Sequence, residues 1–462
     1  MSKISEIDTW LRENFAVLLD RHRVPGAAIA VLADGEIVEH AAGVLNTSTG
    51  VESTKDSVFQ VGSITKVWTI TLIMQLVDEG RVDLDRPVRD YLPEFRLADE
   101  QAAATITVRQ LACHTGGFEG DVFADTGTGE DAVAKLIPLL ADVPQLFPPG
   151  ERFSYSNAGY CVLGRIVEVL RGEYWDDCVR ERLIGPLGLT HAGCGAEDAV
   201  RHRAAVGHDL PETGGEPVPT KVWSLARSNA PAGATLVMCP RDLLTFARMH
   251  LNEGKADNGA QVLSPESVRA MRERQIAVPD LGVMGAYWGL GWADFGWQGG
   301  TVIGHDGGTI GQSAFLRVAP ERDVAFALLT NGGAALRAYH EVATKLMHEL
   351  AGITVPPLPE PDPAAAPADL SRYVGEYSSR VVSTVVTEEG GRLWLRRTPK
   401  GEIAELDEPS GTVELLPWHG ETFVAVVPEL PGAYMPHEFV GDDGTGRARF
   451  LHTGRADRRV TR

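Results

Sequence analysis

The stretch Val61-Gly62-Ser63-Ile64-Thr65-Lys66-Val67-Trp68 is the one on which the reading of the whole chain turns. A serine three residues before a lysine shares its helix face when a helix begins near Ser63. The N-terminus of that helix directs the positive end of its dipole at an oxyanion forming beside the serine. The residues that follow, Ile70-Thr71-Leu72-Ile73-Met74-Gln75-Leu76, are apolar enough to bury the helix, and Lys66 with it. Desolvation disfavours an ammonium ion, so Lys66 is expected to hold its proton weakly and to take the one Ser63 gives up. Taken alone, Ser-x-x-Lys fits a capping serine followed by a surface lysine just as well.

Two further segments bear on that choice. Gly150-Glu151-Arg152-Phe153-Ser154-Tyr155-Ser156-Asn157-Ala158 holds a Tyr-x-Asn immediately before a helical pattern. Tyr155 is suited to relaying or accepting a proton, and Asn157 to hydrogen-bonding an amide and the lysine. A core tyrosine next to a helix-capping asparagine is the plainer alternative. Gly304-His305-Asp306-Gly307-Gly308, with Gly311 before an apolar strand, lets a substrate backbone lie close to the chain. His305 is a candidate to bind or protonate the reacting group.

Outward from these motifs, helical and strand patterns interleave. Leu11, Phe15, Leu18 and Leu19 recur at helical spacing. Val24 to Leu32 reads as a buried strand, and Asp34-Gly35 as a hairpin turn into Ile37-Val38. Helices are expected over Trp68–Glu79, Ala158–Leu170, Pro240–Leu251 and Ala335–Leu350, and paired strands over Ala314–Val318 and Val324–Leu329. Strands from both ends around a helical middle give an α+β fold, one antiparallel sheet with a helical subdomain. Six prolines between Pro356 and Pro367 predict an extended linker. Beyond it, Tyr373–Tyr377, Val381–Thr387, Arg392–Leu395 and Thr422–Val427 read as short strands with glycine-rich turns, a small antiparallel barrel or sandwich. The division expected is therefore a catalytic domain over 1–354, a linker over 355–368 and a β domain over 369–462.

Composition removes whole classes of function. A formal net charge of −20 disfavours nucleic acid as a partner, because phosphate binding needs a basic surface. The first fifteen residues lack the apolar run and cleavage site of an export signal, and no later segment offers the roughly 18 apolar residues of a membrane span. A cytoplasmic protein is expected. Cys113, Cys161, Cys178, Cys194 and Cys239 are scattered, with no metal-ligand spacing, and are expected as buried free thiols. No metal and no cofactor are called for.

Ser63-x-x-Lys66, Tyr155-x-Asn157 and His305-Asp306-Gly307, in that order and spacing, resemble the three motifs of the serine β-lactamase/penicillin-binding-protein superfamily, over roughly residues 8–352. Leu111-Ala112-Cys113-His114-Thr115-Gly116-Gly117 and Phe147-Pro148-Pro149-Gly150 extend the likeness. The resemblance implies catalysis by Ser63, Lys66, Tyr155 and His305. It implies an oxyanion site built from the Ser63 and Gly308 amides, with Asn157 and Gly307 contacting substrate. Where many β-lactamases carry Lys-Thr-Gly, this chain has His305-Asp306-Gly307 and so lacks a fixed cation for a β-lactam carboxylate. In that respect it is more similar to the esterases, D-aminopeptidases and acyl-transferring members.

The appended β domain narrows the likeness to the stand-alone penicillin-binding-protein-type thioesterases, which look like peptide cyclases and carry a lipocalin-like domain. What this implies is a partner: the peptidyl carrier protein of a nonribosomal peptide synthetase, presenting a phosphopantetheine-bound peptide. Ser63 takes the peptidyl group, with a D-residue preferred at its C-terminus, and the peptide's own amine releases a head-to-tail macrolactam. Arg455, in Arg447–Arg455, is a candidate to reach back and hold a substrate carboxylate or carbonyl, with a solvated basic terminus balancing an acidic protein as the plainer alternative. Phe118–Gly127 is expected as a loop or lid, His114 as a brace, and Trp223 and Trp288 as core or groove aromatics. Two other readings compete. One is an esterase or D-amino-acid amidase that lets water deacylate the same serine. The other is a non-catalytic binding or sensor protein on the same fold.

Overall fold

Alternation in one strand organises the larger domain. The computed structural model describes residues 2–460 except 212–214, 366, 368, 402–403 and 405–410, so residues 366 and 368 of the expected linker lie outside the described residues. Strand Gly26–Ala33 is buried along its whole length. Its even-numbered residues Ala28, Ala30 and Leu32 face the helical core, while Ala27, Ile29 and Val31 pack with the residues of two flanking helices, as the period of two requires. Those helices are Lys3–Arg21, which buries Leu11, Phe15, Leu18 and Leu19, and Ala335–Leu346, which continues as a π-helical turn over Met347–Ala351.

The strand lies between Glu36–Asn46 and Val324–Thr330, and the sheet continues through Gln312–Ala319 to Ile303–Thr309. Two-residue strands finish both edges, for nine strands in all, every pairing antiparallel. Asp34 and Gly35 both have positive φ, 52° and 75°, the backbone that a tight two-residue hairpin needs. Helix Pro240–Leu251 has the bounds expected of it, set by proline at its first position. Helix Thr65–Asp78 starts three residues earlier than its apolar run, directly after the turn that carries Ser63.

Gly375–Ser378 to Ala456–Arg459 form an eight-stranded closed barrel in which sequence neighbours pair and the last strand returns to the first. The lipocalin-like barrel and the α+β sheet with its helical subdomain are therefore both present. Among the described residues between them, the proline-rich segment holds no helix or strand beyond a 3-10 turn at Pro363–Ala365. The barrel docks on the larger domain by hydrogen bonds: Tyr155 N–H donates to the Gly454 carbonyl at 3.0 Å, and Ala456 N–H to the Ser154 side-chain Oγ at 3.1 Å. His452 Nε2 donates to the Phe153 carbonyl at 3.0 Å. The segment that holds Tyr155 is thus gripped by the last hairpin of the barrel.

Candidate active site

Ser63 lies in the 3-10 turn Gly62–Ile64 that opens into the Thr65–Asp78 helix. The turn survives only because three glycines crowd it. Gly62 has φ +51°, and a Cβ on it would stand 2.9 Å from the Gly308 nitrogen. A Cβ on Gly233, at φ +131°, would stand 2.6 Å from the Gly62 carbonyl, and one on Gly307 1.9 Å from the Val61 carbonyl. Backbone therefore packs on backbone around the serine. The Gly307–Gly308 edge of strand Ile303–Thr309 lies directly beside it, where an oxyanion site is expected. On the Gly308 side nothing stands within 4 Å of an added Cβ, so that face opens into the cleft.

Lys66 is fully buried, and its amine reaches three oxygens: Ser63 Oγ at 3.1 Å, Asn157 Oδ1 at 2.7 Å and the Ala232 carbonyl at 2.6 Å. Burial lowers its pKa to about 7, helped by the positive charge of Arg455 and opposed by Cys161 and Asp121. A neutral amine has two N–H donors and one lone pair. Asn157 and Ala232 take the two donors, which leaves the lone pair for the Ser63 hydroxyl. The surface-lysine alternative is excluded by burial.

Asn157 is free for this role because it does not cap its helix. Ser156 does so, its side chain accepting from Gly159 N–H at 2.9 Å. Asn157 Nδ2 donates onward to Asp121 Oδ1 at 2.6 Å, and Arg455 Nε donates to Asp121 Oδ2 at 2.8 Å. A hydrogen-bonded chain therefore runs from Lys66 through Asn157 and Asp121 to the barrel. The Arg455 guanidinium also stands 4.8 Å from the centroid of the Tyr155 ring, with the side chain 39% exposed.

Tyr155 is buried, its ring 4.7 Å from the Lys66 amine. Burial raises its pKa, an effect the neighbouring Ser63 hydroxyl only tempers, and its hydroxyl has no well-formed hydrogen bond. Tyr155 therefore keeps its proton and is placed to relay one rather than to act as a standing base. His114 stacks on it at 4.3 Å and accepts from Ser156 N–H at 2.9 Å through Nδ1. With φ +59° it is one of five non-glycine residues with positive φ among those described, and it braces the Tyr-x-Asn segment.

His305 is also buried, with its pKa pushed down to about 3 by burial and by the nearby Lys66. Its Nδ1 donates to the Asp306 carbonyl at 2.6 Å, which leaves Nε2 a bare acceptor with no partner. The expected proton-donating role does not match this resting state, and the third motif presents no cation. Asp306 points to the opposite face and forms a two-pronged pair with buried Arg317, at 2.5 and 3.1 Å.

Phe118–Gly127 is an irregular loop, as expected, but its first half is no lid: Phe118, Glu119, Gly120 and Val122 are buried, and Ala158 N–H donates to the Gly120 carbonyl at 2.8 Å. Trp288 belongs to the aromatic cluster around Tyr155, His114 and His305, whereas Trp223 packs against Val58, Ala199 and Val237. All five cysteines are free and buried. One of them, Cys239, does have metal-ligand neighbours that its sequence spacing concealed, since ligand atoms of His191, Cys239 and Asp242 lie within 4.8 Å of one another. Asp242 there already accepts the His191 N–H at 2.6 Å. Local sequence gives no signal for Asp121, the Ala232 carbonyl or Gly233: Asp121 joins the network through Asn157, the Ala232 carbonyl through Lys66, and Gly233 by packing on Gly62, all by tertiary contacts. No helix among the described residues is long and apolar enough to cross a membrane.

A family model described as Beta-lactamase matches residues 11–348. Penicillin-binding protein 4 of Amycolatopsis lactamdurans is 45% identical over 368 residues, covering 79% of this chain and 96% of that protein. Among solved structures, SurE is 31% identical with a TM-score of 0.78 over 99% of both chains, and SurE has also been solved with D-Leu (TM-score 0.77). A D-amino acid amidase from Ochrobactrum anthropi shares the fold, at 23% identity and a TM-score of 0.60 over 70% of this chain and 92% of that one.

Proposed function

Given that the chain belongs to the serine β-lactamase/penicillin-binding-protein superfamily, we propose that it is a serine acyltransferase that acts in trans on nonribosomal peptidyl thioesters and releases them as head-to-tail macrolactams. The donor is a peptide on the phosphopantetheine arm of a carrier protein in the cytoplasm, with a D-residue at its C-terminus.

Ser63 Oγ attacks the thioester carbonyl as its proton passes to the neutral Lys66 amine, 3.1 Å away. The Ser63 and Gly308 amides receive the oxyanion. The C–S bond then breaks, and the proton on Lys66 reaches the leaving thiolate, with the Tyr155 hydroxyl as relay. In the second half, the amine at the peptide's N-terminus attacks the ester carbon. A C–N bond forms, the Ser63 C–O bond breaks, and the proton shed by the amine returns to Ser63 Oγ through Lys66. Water attacking instead of the amine would give the linear acid, so the choice rests on excluding water and positioning the amine.

The observation that carries this reading is the junction of the two domains at the nucleophile. The barrel supplies Arg455, tied through Asp121 and Asn157 to Lys66, which supports a share for the appended domain in the site. The likeness to SurE supports it, extending over the whole chain and including a structure with a D-amino acid. The test is product analysis after incubation with a peptidyl thioester ending in a D-residue. The macrolactam as main product is expected; linear acid as main product for every peptide tried would make the enzyme a hydrolase.

A further inference from the structure

The barrel is packed at one end and hollow at the other. At the packed end Tyr373, Tyr377, Phe423 and Phe439 meet with ring centroids 4.8–5.6 Å apart. Stepping two residues along each strand from this plug, inward side chains become smaller or polar. Val386 gives way to Thr384, Phe423 to Ala425, Phe439 to His437 and Leu415 to Val413, while the Leu393 face continues through Leu395 to Arg397 at the cavity wall. These are same-face positions, because side chains in a strand alternate with a period of two. The change in size leaves a cavity of about 800 Å³. That lies in the upper part of the roughly 300–1,000 Å³ over which proteins hold small ligands.

The hollow end faces the catalytic domain. Its far wall is Glu119, Gly120 and Asp121, and Arg455 stands at the boundary. The Arg455–Asp121 pair therefore has the cavity on one side, and Tyr155 and Asn157 on the other. Eight-stranded barrels of this size are either filled by their own side chains or hold one ligand. Among the described residues this one is filled only halfway, and the unfilled half ends at the Arg455–Asp121 pair, which is joined through Asn157 to Lys66.

We propose that the barrel lumen is the second half of the substrate site, receiving the residues of the peptidyl group upstream of the one esterified to Ser63. Apolar side chains of that segment pack on Val382, Leu395, Val413 and Ala425, and its amides meet Thr384 and His437. The proposal rests on the peptidyl reading given above. It explains why the barrel is held so firmly: the Gly454, His452 and Ala456 hydrogen bonds keep the mouth of the lumen in register with Tyr155. It also predicts a dependence on length. An extended residue adds ~3.5 Å, so a one-residue acyl group ends near Arg455, while five residues span about 17 Å and enter the chamber.

The experiment compares two thioesters of one thiol, carrying either a single D-residue or a five-residue peptide ending in that residue. Ser63 acylation is followed by intact-protein mass spectrometry in the wild type, Ala425→Phe and Val413→Phe. The wild type should acylate with the longer donor about tenfold more efficiently. Filling the lumen should remove that advantage and leave the one-residue reaction unchanged. If Ala425→Phe also loses the one-residue reaction, its fold is damaged, and Val413→Phe, at a less buried position, carries the comparison. Equal rates for the two donors in the wild type, or a length advantage that survives Val413→Phe, overturns the assignment. So does a loss that follows the size of the thiol rather than of the peptide, which would place the leaving group in the lumen. Turnover of a small aryl ester without acylation by either peptidyl donor would instead overturn the peptidyl reading, and the chamber assignment with it.

Discussion

Arg455, contributed by the last hairpin of the barrel, donates to Asp121 of the catalytic domain at 2.8 Å, across 334 positions of sequence. Because Asp121 also accepts from Asn157, and Asn157 from Lys66, the barrel is connected to the Lys66 amine by three hydrogen bonds. The guanidinium is partly exposed, so the pair should add only ~0–1 kcal/mol to stability, and its effect should show in substrate binding. Arg455→Ala should raise KM for a peptidyl thioester by about tenfold, equivalent to ~1.4 kcal/mol, with an unchanged unfolding midpoint. Unchanged kinetics would remove Arg455 from the site.

The position of Lys66 sets the pH dependence. Its pKa falls from the ordinary lysine value to about 7 because the amine is buried, so the form able to accept the Ser63 proton grows as pH rises through 7. The acylation rate should climb tenfold per pH unit well below 7 and level off above it. His305, at about 3, is already neutral throughout that window. The sign for stability is the same: between about 7 and the unfolded lysine value the unfolded chain binds more protons, so this group's destabilising effect fades as pH rises. An acylation rate flat from pH 5.5 to 8.5 would contradict a neutral lysine base.

The glycines around the nucleophile should separate fold from binding. Gly233→Ala forces a Cβ to within 2.6 Å of the Gly62 carbonyl at a φ that L-residues rarely adopt. Strain of ~1–3 kcal/mol is expected in the turn itself, with a loss of kcat. Gly308→Ala places its methyl in open space facing the cleft, so thermal stability should be kept while KM changes. Equal thermal stability and equal KM for the two variants would mean that the turn is not as tightly packed as described.

His114 should behave as a positioning residue. His114→Phe keeps the ring stacked on Tyr155 but removes the acceptor of Ser156 N–H, leaving a buried donor unpaired at a cost of ~1–3 kcal/mol. Activity should fall, and His114→Asn, which offers an oxygen, should restore part of it. If the pH profile of His114→Phe shifts away from that of the wild type, His114 takes part in the proton chemistry.

The motifs were legible because each is local. Ser63 and Lys66 are one helical turn apart, Tyr155 and Asn157 flank one cap, and Asp34-Gly35 sets its own hairpin. Alternating apolar residues announced a β domain after the prolines, but not whether it closes, because closure depends on pairing Gly375–Ser378 with Ala456–Arg459. Asp121, the Ala232 carbonyl and Gly233 join the network of Ser63 and Lys66 only through the tertiary fold. Nothing in their local sequence distinguishes them from ordinary loop residues. The buried state of His305 was equally hidden, since it depends on Trp288 and Tyr155 arriving from other segments.

The most direct test of the central claim is intact-protein mass spectrometry after brief exposure to a peptidyl thioester ending in a D-residue, with Ser63→Ala and Lys66→Met in parallel. One peptidyl adduct is expected on the wild type, none on Ser63→Ala, and formation slowed by at least about a hundredfold in Lys66→Met. An adduct that persists on Ser63→Ala, or forms at the wild-type rate in Lys66→Met, would contradict that claim.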